Sequence, residues 1–236
     1  MRSGEPVQNP NVAILSSAVE KPAPLLDHFV LVGGCATGFL ITDSAAAPIR
    51  PTLDIDAIVE LASYADLVAL EEQLRELGFQ SAMEQGAPVC RWKHQDTILD
   101  LMPTNPRILG FGSRWYSPAL RNAKTAQVGN YRIRVITAPY FLATKLDAFA
   151  GRGGNDYRLS RDLEDIVAVL DGRAEIVGEV QHSDQDVRAY LGREFSRLLQ
   201  IRDFVESLSG HLLPDAPSQQ RIGIVVGRIR QIAGGS

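Results

Sequence analysis

The sequence predicts an α+β protein: a small mixed β-sheet with flanking helices, followed by a C-terminal helical subdomain. Short apolar segments bounded by Gly, Pro and polar turns recur up to residue 136, among them FVLV at 29–32, DIDAIV at 54–59 and TILDLM at 97–102. One helical pattern interrupts them at 64–77, where Leu67, Leu70, Leu74 and Leu77 fall at spacings of three and four. Beyond residue 137 the long segments keep that helical spacing. The expected division is an α/β domain over 1–136 and a helical domain over 137–236.

The 236 residues suffice to bury a substantial core, and 45% hydrophobic with 22% charged residues is ordinary for a globular protein. No apolar run reaches 18 residues and no basic-then-apolar leader opens the chain, so a cytoplasmic protein with no membrane contact is expected. Cys35 and Cys90 are too few for a disulfide framework or a zinc site and are expected as buried thiols. The net charge of −4 is unevenly spread: residues 111–161 hold 9 basic against 2 acidic residues. That window offers a phosphate-binding wall or, more plainly, scattered solvated arginines. No DNA-specific motif is present.

In chain order, an apolar run at 12–19 predicts an N-terminal helix. The strand at 29–32 then leads through Gly33-Gly34 into a short helix and a Pro-bounded loop. The next strand carries Asp54 and Asp56. Asp is depleted in strands, and two of them two residues apart share one face, about 7 Å from one another. Oxygen-only ligands of this kind suit Mg²⁺. The glycine pair lets an anion approach the amides that open the next helix. Gly33, Gly34 and Gly38 do not match the dinucleotide spacing, and Phe39-Leu40 stand where a P-loop needs Lys-Ser/Thr. The plain alternative is a tight turn followed by a solvated strand face.

The helix at 64–77 is closed by Gly78. Strands are expected at 89–92 and 97–102, joined by the polar turn 93–96. In the second, Asp100 is a lone carboxylate among apolar residues, costly unless paired or bound to a cation. A long connection over 103–130 holds Arg114, Trp115 and Tyr116, which either touch a nucleotide or cap the core. YRIRVI at 131–136 reads as an edge strand with Arg132 and Arg134 on one side. Pro139 opens a helix in which Lys145 sits among apolar neighbours, placed to hold a triphosphate as a point charge. A Gly-rich loop follows at 151–154, and Ser160 caps a helix carrying Asp162 and Asp165. Helices are expected over 186–208 and 219–232; the first carries Arg188, Arg193, Arg197 and Arg202, solvated or turned to an acidic acceptor.

Strand, Gly-Gly, helix, then Asp-x-Asp on the next strand resembles the signature of the DNA polymerase beta-like nucleotidyltransferase superfamily. The resemblance implies that superfamily's fold, with Gly33 and Gly34 gripping a nucleoside triphosphate and Asp54 and Asp56 binding Mg²⁺, two ions in all. It also implies that Asp100 serves as the third acid, a metal ligand or base for the attacking hydroxyl. Arg50 and Thr52, just before the carboxylates, are expected to add phosphate contacts. Lys145-Leu-x-Ala-Phe, an Arg, then Arg161-Asp-Leu-x-Asp resembles the AbiEii-type branch, whose members include toxins of toxin–antitoxin and phage-defence systems. On that branch Lys145 is a triphosphate ligand and Asp162 an orienting acid, with Asp165 the competing choice. The likeness covers roughly residues 29–170. The expected function is Mg²⁺-dependent transfer of a nucleotide from an NTP to a hydroxyl of RNA, such as a tRNA end, or of a protein, with a cognate antitoxin as a partner. The alternatives are an antibiotic-type small-molecule acceptor, or a nucleotide-binding module that does no chemistry.

Overall fold

The computed structural model describes residues 15, 19–52, 54–152 and 156–235. In chain order the strands and helices are β1 (Phe29–Leu31), α1 (Gly33–Leu40), β2 (Asp54–Val59), α2 (Tyr64–Glu76), β3 (Gln80–Ser81), β4 (Arg91–His94), β5 (Thr97–Pro103), α3 (Pro106–Leu109), α4 (Tyr116–Arg121), β6 (Lys124–Val128), β7 (Tyr131–Val135), α5 (Ala138–Gly151), α6 (Arg161–Gly172), α7 (Ile176–Gln181), α8 (Gln185–Leu199), α9 (Arg202–Ser207), α10 (Ala216–Gln220) and α11 (Ile222–Gly234). The expected α+β architecture is what the chain adopts. It separates into two compact units: a sheet unit of residues 19–36 and 50–137, and a helical unit of residues 37–49 and 138–235. The segment 37–49 therefore clusters with the C-terminal helices, not with the strands around it in sequence. Most of the expected helix at 12–19 lies outside the described residues; Leu15 and Val19 are buried.

The sheet unit is built on seven strands in the order β3-β4-β5-β2-β1-β7-β6. Pairing is parallel between β2 and β5 and between β1 and β7, and antiparallel elsewhere. Residues opposite one another share a face, so register sorts the side chains. One face carries Ile55, Ala57, Val59, Trp92, Leu99 and Leu101, all buried. Leu67, Leu70 and Leu74 of α2 line a small cavity with Val59, Trp92 and Leu101, which places that helix on this face. Ser63 fixes the start of α2 by a capping box with Asp66, and Gly78 just past its end has φ of 85°.

On the opposite face Tyr116 Oη of α4 lies 3.3 Å from Met102 Sδ, and Arg134 donates to the Leu120 carbonyl at 2.7 Å. Trp115 is buried beneath the Arg114 guanidinium, 4.6 Å from its ring, so this pair of aromatics caps the core.

Two expectations about the strands are corrected. YRIRVI is not an edge: β6, which sequence reasoning placed in the long connection, pairs with its outer side through the two-residue turn Gly129-Asn130, with φ of 56° at Gly129. Instead of ending at Trp92, β4 runs to His94, and the turn is Gln95-Asp96. Pairing Trp92 with Leu99 on the buried face sets that register and leaves Val89 outside the strand, 68% exposed. A two-residue β3, unanticipated in the sequence, covers the outer side of β4.

The helical unit packs α5 against α6 and α8, and α11 against α6 and α8. Its core includes Phe141, Leu142, Leu163, Leu170, Leu191, Phe195 and Ile229. Ser160 caps α6 as expected, accepting from the Leu163 amide. The single helix expected over 186–208 breaks at Gln200-Ile201 into α8 and α9. An unbroken helix would carry the stripe Val187, Leu191, Phe195, Leu198 on to Arg202; the break re-phases it so that Phe204 and Leu208 turn inward. Likewise the last expected helix is two, α10 and α11, meeting at Arg221. Among the described residues no helix is long and apolar enough to cross a membrane.

Candidate active site

The candidate site grows from β1, β2, β4 and β5 of the sheet unit. Asp54 and Asp56 alternate with buried Ile55 and therefore project to one face. The parallel register sets Asp56 opposite Asp100, and the antiparallel register sets Arg91 opposite Asp100, so all four side chains share that face. Beside them β1 ends and α1 begins: the Val32 amide donates to the Asp56 carbonyl at 2.9 Å, and Gly33 has φ of 59°. A Cβ built on Gly33 would stand 2.0 Å from Asp56 Oδ2, so glycine is required for the carboxylate to lie against the first turn of α1. The positive end of the helix favours an anion there. Cys35, one turn in, is buried and donates its thiol to the carbonyls of Val32 and Asp56.

Arg91 is the residue that sequence reasoning missed. Its Nε and Nη2 donate to the two oxygens of Asp100 at 2.8 and 2.7 Å, and Nη2 also reaches Asp54 Oδ2 at 3.1 Å. The hydrogen bonds it donates to Asp100 push the guanidinium further above its ordinary range, so it stays cationic. Nothing local in VCRWKH marks it; only the register of β4 on β5 brings it over the acids. Next to it Cys90 is buried, and desolvation with the nearby Asp100 charge raises its thiol to about 11.

Mg²⁺ usually takes one or two protein carboxylates and keeps the rest of its octahedron for water and phosphate. Asp54 and Asp56, half-exposed on one strand face, are a donor pair of that kind. Asp100 stands differently, because both its oxygens are on Arg91. Among the described residues no three His, Cys, Asp or Glu side chains come together closely enough to share a metal ion. Arg50 and Thr52 lie half-buried just ahead of β2.

Lys145 and Asp162 belong to the helical unit and form a second cluster. Lys145 is only 8% exposed, with Nζ 2.5 Å from Asp165 Oδ2 and 3.3 Å from Asp162 Oδ1. Arg152 Nη1 reaches Asp162 Oδ2 at 2.7 Å. Both aspartates therefore engage the lysine. Elsewhere on the helical surface Arg197 and Arg202 pair with Glu194 and Glu206, and Arg188 donates to the Gln181 carbonyl.

Scanned against protein-family models and against curated proteins, the sequence matches none. Among solved structures, an antigenic nucleotidyltransferase-like protein from Paracoccidioides brasiliensis is similar, with 17% identity and a TM-score of 0.49 over 86% of this chain and 94% of that one.

Proposed function

We propose that the chain transfers a nucleotide from a nucleoside triphosphate to an acceptor hydroxyl. The observation that carries this reading is the register that puts Asp54, Asp56 and Asp100 on one sheet face, with Asp56 seated against the Gly33 end of α1. Asp54 and Asp56 would hold Mg²⁺, which when bound neutralises the triphosphate and polarises the α-phosphorus. Gly33 and Gly34 let the phosphates approach the opening amides of α1, and Arg50 and Thr52 add donors at their margin. The acceptor oxygen forms a bond to the α-phosphorus, the bond to the bridging oxygen breaks, and pyrophosphate leaves. The acceptor's proton passes to Asp100 once Arg91 no longer occupies both of its oxygens.

RNA or protein is the acceptor class we favour, on the excess of basic residues in 111–161 and the AbiEii-like pattern from Lys145 to Asp165, and a toxin role belongs to the same reading. Incubation with each α-³²P-labelled NTP, Mg²⁺ and total RNA or lysate tests it. Label in one fraction is expected, and its loss in Asp54→Ala/Asp56→Ala with the fold intact ties it to the carboxylates. No transfer with any nucleotide overturns the reading. One observation favours a second reading, a nucleotide-binding module without chemistry: Arg91 already places a cation on the carboxylates where an active site needs a metal. Stabilisation by Mg²⁺-NTP without labelled product would select it.

A further inference from the structure

We propose that Arg91 is a displaceable internal cation: it holds Asp54 and Asp100 while the site is empty of nucleotide, and moves to the phosphates when a divalent ion takes the carboxylates. This rests on the carboxylate face being the metal and nucleotide site proposed above.

Three features of the site lead to it. Arg91 makes the two-pronged contact with Asp100 that a guanidinium fork makes with a carboxylate, and it shares one of its nitrogens with Asp54. It thus bridges two of the three acids on the face and occupies oxygens of both. Its side chain is also not sealed in: it is 23% exposed, and Asp54, the weaker partner at 3.1 Å, is 37% exposed. One edge of the clamp opens to solvent, and the guanidinium has a route outward. A guanidinium fits a phosphate as it fits a carboxylate, so the same fork has a second partner as soon as a triphosphate arrives.

Two consequences distinguish this from a structural ion pair. A divalent ion alone must compete with Arg91 for Asp54, so it binds the nucleotide-free chain weakly. An ion arriving with a triphosphate brings the replacement partner with it, so the two bind cooperatively.

The test is Mn²⁺ binding, followed by the electron paramagnetic resonance of free Mn²⁺, to the full chain and to Arg91→Gln and Arg91→Lys. Without nucleotide, Arg91→Gln should bind Mn²⁺ at least tenfold more tightly than the unaltered chain. Arg91→Lys, a point charge that cannot fork across both acids, should fall between them. With a non-hydrolysable α,β-methylene triphosphate present, the unaltered chain should gain the most affinity and Arg91→Gln the least. Mn²⁺ affinity in both folded variants equal to or below that of the unaltered chain overturns the proposal. Arg91→Lys keeps the charge if Arg91→Gln does not fold, and its own shift then decides. The labelling experiment is separate: a missing transfer product with the Mn²⁺ ordering intact would remove the nucleotidyl-transfer reading and leave the exchange of cations standing.

Discussion

Gly33 carries two constraints at once, a backbone of positive φ and a carboxylate 2.0 Å from where its Cβ would be. Gly33→Ala is therefore expected to cost about 1–2 kcal/mol for the left-handed backbone alone, and to push Asp56 off the end of α1. Urea unfolding should show the first effect, and nucleotide-dependent thermal stabilisation should show the second by vanishing. Cys90 makes a complementary case. A thiol raised to about 11 by burial and by Asp100 is not a thiolate at pH 8, so it should resist iodoacetamide in the folded chain and react on unfolding. At this scale the sequence was legible where a residue broke its local rule, as aspartates in a strand and Gly-Gly before a helix do. Arg91 breaks none, since a charged residue beside a turn is ordinary. Its position over Asp100 is fixed by pairing between strands, which single residues do not announce.

The C-terminal end of α6 shows what an element requires beyond its own periodicity. The Leu170 and Asp171 carbonyls accept from Arg228 at 2.6 and 2.7 Å, and the Gly172 carbonyl accepts from the amides of Thr42 and Asp43. Arg221 binds the buried Asp171 carboxylate at 2.7 Å and Asp43 at 2.6 Å. Removing a partner from such a buried acid leaves it uncompensated, so Arg221→Ala should destabilise by on the order of 3 kcal/mol in urea unfolding. The hydrogen bond from Arg221, then that from the Ala45 amide, holds Asp43 below its ordinary value of 3.8. A depressed carboxylate stabilises above its unfolded value and loses that contribution as pH falls through the folded one. Asp43→Asn should accordingly flatten the fall in stability below about pH 4. Helix existence in this unit was legible from apolar spacing and from Ser160. The break between α8 and α9 was not, because QIRD contains no Gly or Pro and only the re-phased burial of Phe204 and Leu208 reveals it.

At the scale of the whole molecule, the helical unit is not a contiguous piece of chain. Ile41 and Ala46 press on Gly172, where a Cβ would come within 2.8 and 3.1 Å of them, and Thr42 donates to Glu175 at 2.8 Å. A fragment beginning at Ala138 lacks all of these. By circular dichroism it should melt well below the same helices in the full chain, and a peptide of residues 37–49 added in trans should restore part of the difference. The general architecture was legible from short strands followed by long amphipathic helices. The reassignment of 37–49 was not, because a Pro-bounded loop gives no signal of the distant helix it will meet.

That reassignment also sets a schedule for biosynthesis. Asp43 and its partner Arg221 are 178 residues apart. At the usual pace of translation roughly 10 to 35 s separate their synthesis. Through that interval the segment has left the ribosome while the helix end it will cap is still being made or has yet to be anchored. The strands on either side of it in sequence are complete far sooner, so β1 to β7 have been made while the segment still waits for its helical partners. Chaperone dependence should therefore track the delay in making the last helix, and slow codons near position 221 should prolong it.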